Sequence, residues 1–203
     1  MYMTGQRNES GRDLLFRHAR TNRAWLDQPV TDDTLRELYE LMKWAPTSAN
    51  TCPGRILFIR TAEAKERLRP TLAAGNVDKT MAAPVTAILA YDLRFYEKMS
   101  KLSPTRPNAG ARWASPLEFV QRMALQGGTL QAAYFILAAR AVGLDCGPMG
   151  GFDNAKVDAE FFAPGTALES WKSNILCNLG HGDPAKLPPR DPRLGFEEAS
   201  AIL

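Results

Sequence analysis

The stretch Leu130-Gln-Ala-Ala-Tyr-Phe-Ile-Leu-Ala-Ala139 is apolar almost all round. No other feature constrains the fold as strongly. A helix without a polar face must lie between layers, so the rest of the chain has to pack around it. The helix falls within Pro116 to Val142, with Arg140 in its last turn and Gly143 as its stop. A chain of 203 residues is one domain by length. It can bury roughly 70% of its unfolded surface and needs neither disulfide nor metal to fold. Residues 11–203 therefore read as a single domain, preceded by a disordered segment 1–10.

Elements on either side supply the layers. Thr31 followed by Asp32 and Asp33 caps a helix running to Trp44, with Leu35, Leu38, Tyr39, Leu41 and Met42 at helical spacing. Pro46 ends it, and a polar loop runs from Thr47 to Pro53. Ile56–Ile59 reads as a strand, and Thr61 caps a short charged helix to Leu68. Val85–Tyr91 is apolar on both faces and is predicted to be a central strand. Residues 94–115 read as an irregular excursion or lid, Asn154–Phe161 as a helix, and Asn174–Gly180 as a strand. From Asp183 a proline-rich tail is expected to run extended. Helices and strands alternate, which makes the class α+β or α/β.

Composition removes several functions. Lys and Arg total 25 against 22 acids, interleaved and without a basic block, so nucleic acid is not an expected partner. No run reaches the roughly 20 apolar residues of a membrane span. Three dispersed cysteines and a polar start without an apolar h-region point to the cytoplasm. His18 and His181 are the only histidines and stand away from the cysteines, so no metal site is expected. There is no Gly-x-Ser-x-Gly, and Cys52 has no histidine tied to it by any signal, so no protein nucleophile is predicted. Dinucleotide and phosphate-loop glycine patterns are absent. Gly143-Leu-Asp-Cys-Gly-Pro-Met-Gly-Gly-Phe-Asp153 is glycine-rich but follows a helix and reads as a loop.

What remains is a set of small clusters. Arg20-Thr-Asn-Arg-Ala-Trp25 sets two guanidiniums and a hydroxyl within one helical turn or tight loop, and Arg190-Asp-Pro-Arg193 adds two more guanidiniums. Such forks match phosphate oxygens. Pro46-Thr-Ser-Ala-Asn50 offers hydroxyl and amide groups directly after a helix.

In order along the chain, these pieces resemble the nitroreductase family of FMN-dependent oxidoreductases. The likeness rests on Arg20-Thr-Asn-Arg23, Pro46-Thr-Ser-Ala-Asn-Thr-Cys-Pro-Gly54, Asn76-Val-Asp-Lys79, the buried helix, Pro148-Met-Gly-Gly-Phe152 and the basic tail. Leu41–Asn50, Arg60–Pro70 and Gly143–Asp153 are most similar to the malonic semialdehyde reductases of pyrimidine utilisation. The sequence departs from the broader pattern at Cys52, Gly54 and Gly150, positions that bear on the substrate pocket more than on the flavin.

The resemblance implies an α+β fold, with a mixed, mainly antiparallel sheet flanked by helices. It also implies an intertwined homodimer with two FMN sites at the subunit interface. Arg20, Thr21, Arg23, Arg190 and Arg193 would surround the phosphate and the pyrimidine side of FMN. Asn76 and Lys79 would meet the pyrimidine edge, and Thr47, Ser48 and Asn50 would reach the isoalloxazine from the partner subunit. Pro148, Met149, Gly150 and Gly151 would lay bare backbone along the flavin edge, N–H groups toward N5 and O4. A side chain at Gly150 or Gly151 would crowd that approach, and glycine also permits unusual backbone angles. No catalytic side chain is implied. Ping-pong hydride transfer from NADH or NADPH through the flavin would reduce malonic semialdehyde to 3-hydroxypropanoate. General nitroreductase or quinone reductase activity, or non-catalytic flavin binding, are the alternatives. Residues 94–125 would shape the pocket mouth, with Phe119 and Arg112 near the substrate.

Overall fold

The computed structural model describes residues 9–106 and 108–203. Most of the segment expected to be disordered, residues 1–8, lies outside the described residues. Glu9 and Ser10, expected to belong to it, instead open a helical turn, α1 (Glu9–Arg12). The further helices are α2 (Asp32–Met42), α3 (Ala62–Leu68), α4 (Ala74–Met81), α5 (Met99–Leu102), α6 (Leu117–Ala141), α7 (Asn154–Phe161) and α8 (Phe196–Ala199). The strands are β1 (Gly54–Ile59), β2 (Val85–Asp92), β3 (Asp145–Met149) and β4 (Trp171–Gly180).

Local chemistry sets most of these boundaries. The Thr31 hydroxyl accepts from Thr34 N at 3.1 Å and the Thr61 hydroxyl from Ala64 N at 3.2 Å, so both threonines satisfy orphan donors at the starts of α2 and α3. Asp153 does the same for α7 through Lys156 N at 3.1 Å. At the end of α6, Gly143 takes a φ of +83°, a turn that a side chain would strain.

Two helices escape the sequence reading or modify it. Residues 74–81 carry no strong apolar period, yet they form α4. The excursion at 94–115 is built of short turns, Phe95–Lys98, α5 and Ala111–Trp113, rather than unstructured chain. The tail likewise contains a turn at Pro184–Lys186 and the short α8.

The sheet order is β1-β2-β4-β3, and all its pairings are antiparallel. The apolar run of β2 is therefore central, as predicted, and its period of two feeds two cores. Val85, Ala87 and Leu89 pack with α2 and α6 on one face. Ile88 and Ala90 pack with Leu68 of α3 and Val157 and Phe161 of α7 on the other. Among the described residues the one parallel pairing is a bridge from Thr21 to Cys146, which lays the N-terminal arm along the outer edge of β3.

Two expectations change here. The arm at 20–25 is extended, neither a helical turn nor a tight loop, because its backbone pairs with Cys146 and then with Gly182. The glycine-rich stretch is an edge strand over Asp145–Met149, not a loop. Pro148 is tolerated there because an edge strand has one side without ladder partners. Helix α6 also differs from a helix buried all round. Val120, Ala124, Ala132, Phe135, Ala138 and Ala139 face the core, whereas Leu130 is 42% exposed and Ala133 is exposed beside it.

Candidate functional site

The sheet gathers the predicted residues at its two opposite edges, along β3 and before β1. One corner lies at the outer edge of β3, at the end where Asp145 pairs with Gly180 and Val85 with Leu179. The arm reaches it through Asn22 N, which donates to Cys146 O at 2.9 Å. The tail joins the arm there. An Arg20 Nη donates to Pro188 O, and an Arg190 Nη donates to Arg17 O and Ala19 O, both at 2.8 Å. Arg193 stands apart from this interlock, exposed, and its guanidinium donates only to Asp191 O and Pro192 O within the tail.

Helix α4 lies along the same edge and brings two further residues to it, Lys79 beside the arm and Asn76 at Gly151, beyond the Met149 end of β3. Asn76 and Lys79 are three positions apart and share one face. Asn76 Nδ2 donates to Gly151 O at 2.7 Å, and Ala73 N donates to the same oxygen at 3.0 Å. The backbone of Lys79 is pinned from two sides, its carbonyl accepting from Trp25 Nε1 and from Asn178 Nδ2, each at 3.2 Å. Asn178 is fully buried and also accepts from the Thr86 hydroxyl at 2.8 Å, so sheet, arm and α4 share one polar network.

Lys65 closes the far end of α4. Its ammonium is buried and donates to Thr80 O at 2.8 Å, which also accepts from Ala83 N at 3.3 Å, and to Ala83 O just past the end of the helix. Burial pulls its pKa down to about 8. Replacing Lys65 by Met should cost about 1–3 kcal/mol by stranding Ala83 O, measured by urea denaturation. The pH trend follows from the same group. Between about pH 8 and the unfolded value near 10.5 the unfolded chain holds a proton that the native chain has released. Lys65 therefore makes native stability rise across that window, and the Met variant should lack this rise.

Electrostatically the corner is uncompensated. Among the described residues no carboxylate pairs with Arg20, Arg23, Lys79, Arg190 or Arg193. Burial first, and then the Arg23 charge, hold Lys79 below the ordinary lysine range. The backbone beyond β3 adds donors, because neither Gly150 N–H nor Gly151 N–H is used in the backbone hydrogen bonding of the described residues. A Cβ at Gly151 would overlap Asn76 Nδ2, whereas a Cβ at Gly150 would meet nothing within 4 Å. Crowding is thus a property of Gly151 alone, and it arises from close approach, since neither glycine has a positive φ. Met149 is buried and receives the Thr80 hydroxyl at 3.5 Å, so its side chain serves the core.

The second corner lies before β1, where Gly54 pairs with Tyr91. The loop there is tightly wound, with φ of +49° at Ala49, +56° at Asn50 and +41° at Cys52. The Thr47 hydroxyl accepts from Cys52 N at 3.1 Å, and Asn50 Nδ2 donates to Leu102 O at 2.8 Å. Asp92 N donates to Pro53 O at 2.9 Å, and Asp92 also pairs with Arg55 at 2.7 Å, so the loop is tied to the sheet end. Ser48 and Asn50 are exposed. Three strand spacings, roughly 14 Å, separate Gly54 from β3, with the arm one spacing further. The arm lies at the Asp145–Gly180 end, whereas Gly151, two residues past Met149, lies toward the end of the sheet that carries Gly54. Within one chain Thr47, Ser48 and Asn50 therefore stand across the sheet from Gly151 and both across and along it from Arg23.

Trp25, Asn178 and Lys65 were missed by the sequence reading. The one signal they carry is a polar or amphipathic type in an apolar context, Asn178 within the β4 run above all. A separate hollow of about 870 Å3 between α2 and β1, lined by Leu35, Tyr39, Met42, Ile56, Phe58 and Arg60, touches none of the predicted residues. The Cys177 thiol is not a reactive group, because its side-chain hydrogen bond with Cys146, and then burial, hold it well above the ordinary thiol range. No helix among the described residues is long and apolar enough to cross a membrane.

Known proteins with the same organisation make the family plain. The model of the nitroreductase family matches residues 16–181. A candidate NADH dehydrogenase/NAD(P)H nitroreductase of Stenotrophomonas maltophilia is 57% identical over 190 residues, covering 94% of each chain. A protein of the same description from Rhodopseudomonas palustris is 53% identical over 191 residues, covering 94% of this chain and 95% of its own. A candidate nitroreductase of Exiguobacterium sibiricum, solved in complex with FMN, shares the fold with a TM-score of 0.82 at 19% identity, over 98% of this chain and 100% of that one. With the family model matching residues 16–181 and relatives this similar along nearly its whole length, the chain belongs to the nitroreductase family.

Proposed function

We propose that the protein is an FMN-dependent NAD(P)H oxidoreductase acting as a homodimer in the cytoplasm, with malonic semialdehyde as its acceptor. The carrying observation is the corner of uncompensated cations beside the free N–H groups of Gly150 and Gly151. That donor set fits a phosphorylated ring system that gains negative charge on reduction. The separation of the two sets across the sheet supports assembly. A hydroxyl and amide loop able to face that cation corner must come from a second copy. The incompletely covered apolar face of α6 and Trp44, 80% exposed, are surfaces a second copy would cover. Free Cys52, Cys146 and Cys177 agree with a reducing compartment.

In this reading Arg20, Thr21, Arg23 and Arg190 hold the phosphate end, with Arg193 joining only if the tail shifts toward it. Lys79 and Arg23 favour added negative charge at the pyrimidine edge. Asn76, oriented by Gly151 O, keeps its Oδ1 for a ring N–H. Gly150 and Gly151 donate backbone N–H groups, and Pro148 fixes the edge strand that aims them. Thr47, Ser48 and Asn50 of the second copy close the opposite side. When bound, FMN supplies the hydride chemistry, so no side-chain nucleophile is needed.

The purified protein should be yellow and gain about 2.7 kcal/mol of stability with FMN at a hundred times its dissociation constant. A colourless protein without a thermal shift would overturn the flavin reading. Turnover with NADH and NADPH on malonic semialdehyde, nitrofurazone and a quinone then tests the acceptor. Faster turnover on the nitro compound would move the assignment to a general nitroreductase, in line with the names of its relatives. FMN bound without turnover on any acceptor would leave a flavin-binding protein.

A further inference from the structure

The excursion that leads into α6 carries charge that the flavin reading does not use. Residues 94–125 hold six basic side chains, Arg94, Lys98, Lys101, Arg106, Arg112 and Arg122, against Glu97 and Glu118. That balance of +4 exceeds the +3 of the whole chain, so the rest of the molecule is slightly acidic. Arg94 is neutralised by Glu169 at 2.6 Å. Arg106, Arg112 and Arg122 have no carboxylate within ion-pair distance among the described residues, even though Glu118 stands one turn before Arg122 on α6.

Aromatic rings hold one of these cations in place. Trp113 and Phe119 stack with centroids 5.7 Å apart and planes 17° apart, and the Arg122 guanidinium lies 5.7 Å from the centre of the Phe119 ring. Trp113 is anchored in turn by Phe95, which is fully buried, at 6.4 Å. Arg122 lines two adjoining hollows of about 490 and 460 Å3, one walled also by Tyr91, Leu93, Leu125 and Lys172 and the other by Pro116 and Phe119, with Glu118 at the rim of both but not paired to Arg122. A flat aromatic wall beside a preorganised, unpaired guanidinium suits a small planar anion.

This platform adjoins the second corner. The Asn50 side chain is bonded to Leu102 O within the excursion. Pro53 packs directly on α6 at Gly127, where an added Cβ would stand 2.6 Å from Pro53 Cγ. Arg122 is five residues before Gly127, roughly 7.5 Å along the helix axis. The loop expected to reach a flavin thus packs on the helix that carries the platform, with Arg122 roughly 140° round that helix from Gly127.

We propose that Arg122, set against the Trp113–Phe119 stack and supported by Arg112, is a carboxylate subsite that makes the protein prefer acceptors bearing a carboxylate over neutral ones. The proposal rests on the flavin reading for its link to turnover, but binding of an anion at the platform does not. Two arms separate them. In calorimetry the purified protein should bind benzoate more tightly than benzamide by about tenfold at low salt, and Arg122→Gln should remove that difference. In turnover, kcat/KM for 4-nitrobenzoate should exceed that for 4-nitrobenzamide by a similar factor and fall toward it as salt rises. Arg122→Gln should equalise the two acceptors by lowering only the anionic one, with Arg122→Lys retaining part of the preference and Arg112→Gln weakening it less. Equal binding of benzoate and benzamide by the wild type, or equal losses on both acceptors in Arg122→Gln, would overturn the subsite. Absence of bound flavin with the benzoate preference intact would overturn the flavin reading alone.

Discussion

Replacing Gly151 by Val is expected to lower FMN affinity about a hundredfold or more, while Gly150→Ala leaves it nearly unchanged. The two glycines are adjacent and both belong to the glycine-rich stretch, but their surroundings differ. A Cβ at Gly151 overlaps Asn76 Nδ2, and the residue has no room to retreat because its carbonyl already accepts from Asn76 and Ala73. A valine must push Asn76 off α4's working face, breaking the hydrogen bond that orients its amide. Overpacking of this kind costs about 1–3 kcal/mol. A hundredfold loss of affinity corresponds to about 2.7 kcal/mol, within that range. Gly150 has nothing within 4 Å of where its Cβ would lie, and its φ is one that alanine adopts. Fluorescence titration of FMN into both variants, with circular dichroism to confirm folding, checks the contrast. Equal losses at both positions would mean that the flavin contacts the glycines by their Cα atoms and that Asn76 is not the affected group. Normal flavin affinity in Gly151→Val would remove this backbone from the site.

Changing Leu130 to Asp should convert the protein into a folded monomer and strip it of flavin in the same step. Leu130 lies on the outward face of α6, 42% exposed in the single chain, so an aspartate there is tolerated by the fold. In a dimer seam it would bury a carboxylate without a partner, which costs several kcal/mol. A weakening of at least about a thousandfold follows, the equivalent of roughly 4 kcal/mol. Flavin loss accompanies it because the cation corner and the Thr47–Asn50 loop lie at opposite edges of one chain's sheet. Sedimentation equilibrium and the flavin absorbance ratio measure both effects. A dimer of unchanged affinity would place the seam elsewhere, and a monomer that keeps FMN at full affinity would show that one chain makes the site by itself.

Much of the fold was legible in short windows. Thr31, Thr61 and Asp153 announce three helix starts because capping is a matter of three or four residues. The period-two pattern of Val85–Tyr91 announces a strand with two apolar faces, and only a central strand can bury both. Helix α4 was not legible, since its stability comes from Lys65 at one end and Asn178 beneath it, residues 14 and 99 positions from Lys79. The strand at Asp145–Met149 was hidden for a similar reason. Its glycines and proline read as a loop, and only pairing with β4 makes an edge strand of them.

The site divides along the same line. The sequence alone determined which side chains could serve it, since guanidiniums, amides, hydroxyls and glycines in that order form a pattern that resembles a flavin-binding family. Which of them meet was decided by tertiary structure. Strand order sends Thr47, Ser48 and Asn50 to the β1 edge and Arg23, Asn76, Lys79 and Gly151 to the β3 edge. The same packing leaves Arg193 outside the arm–tail interlock, distinguishes Gly151 from Gly150, and sets Arg122 against an aromatic wall. Spacing along a chain carries no information about such distances, because they are fixed by which strands pair and which helix faces the sheet turns outward.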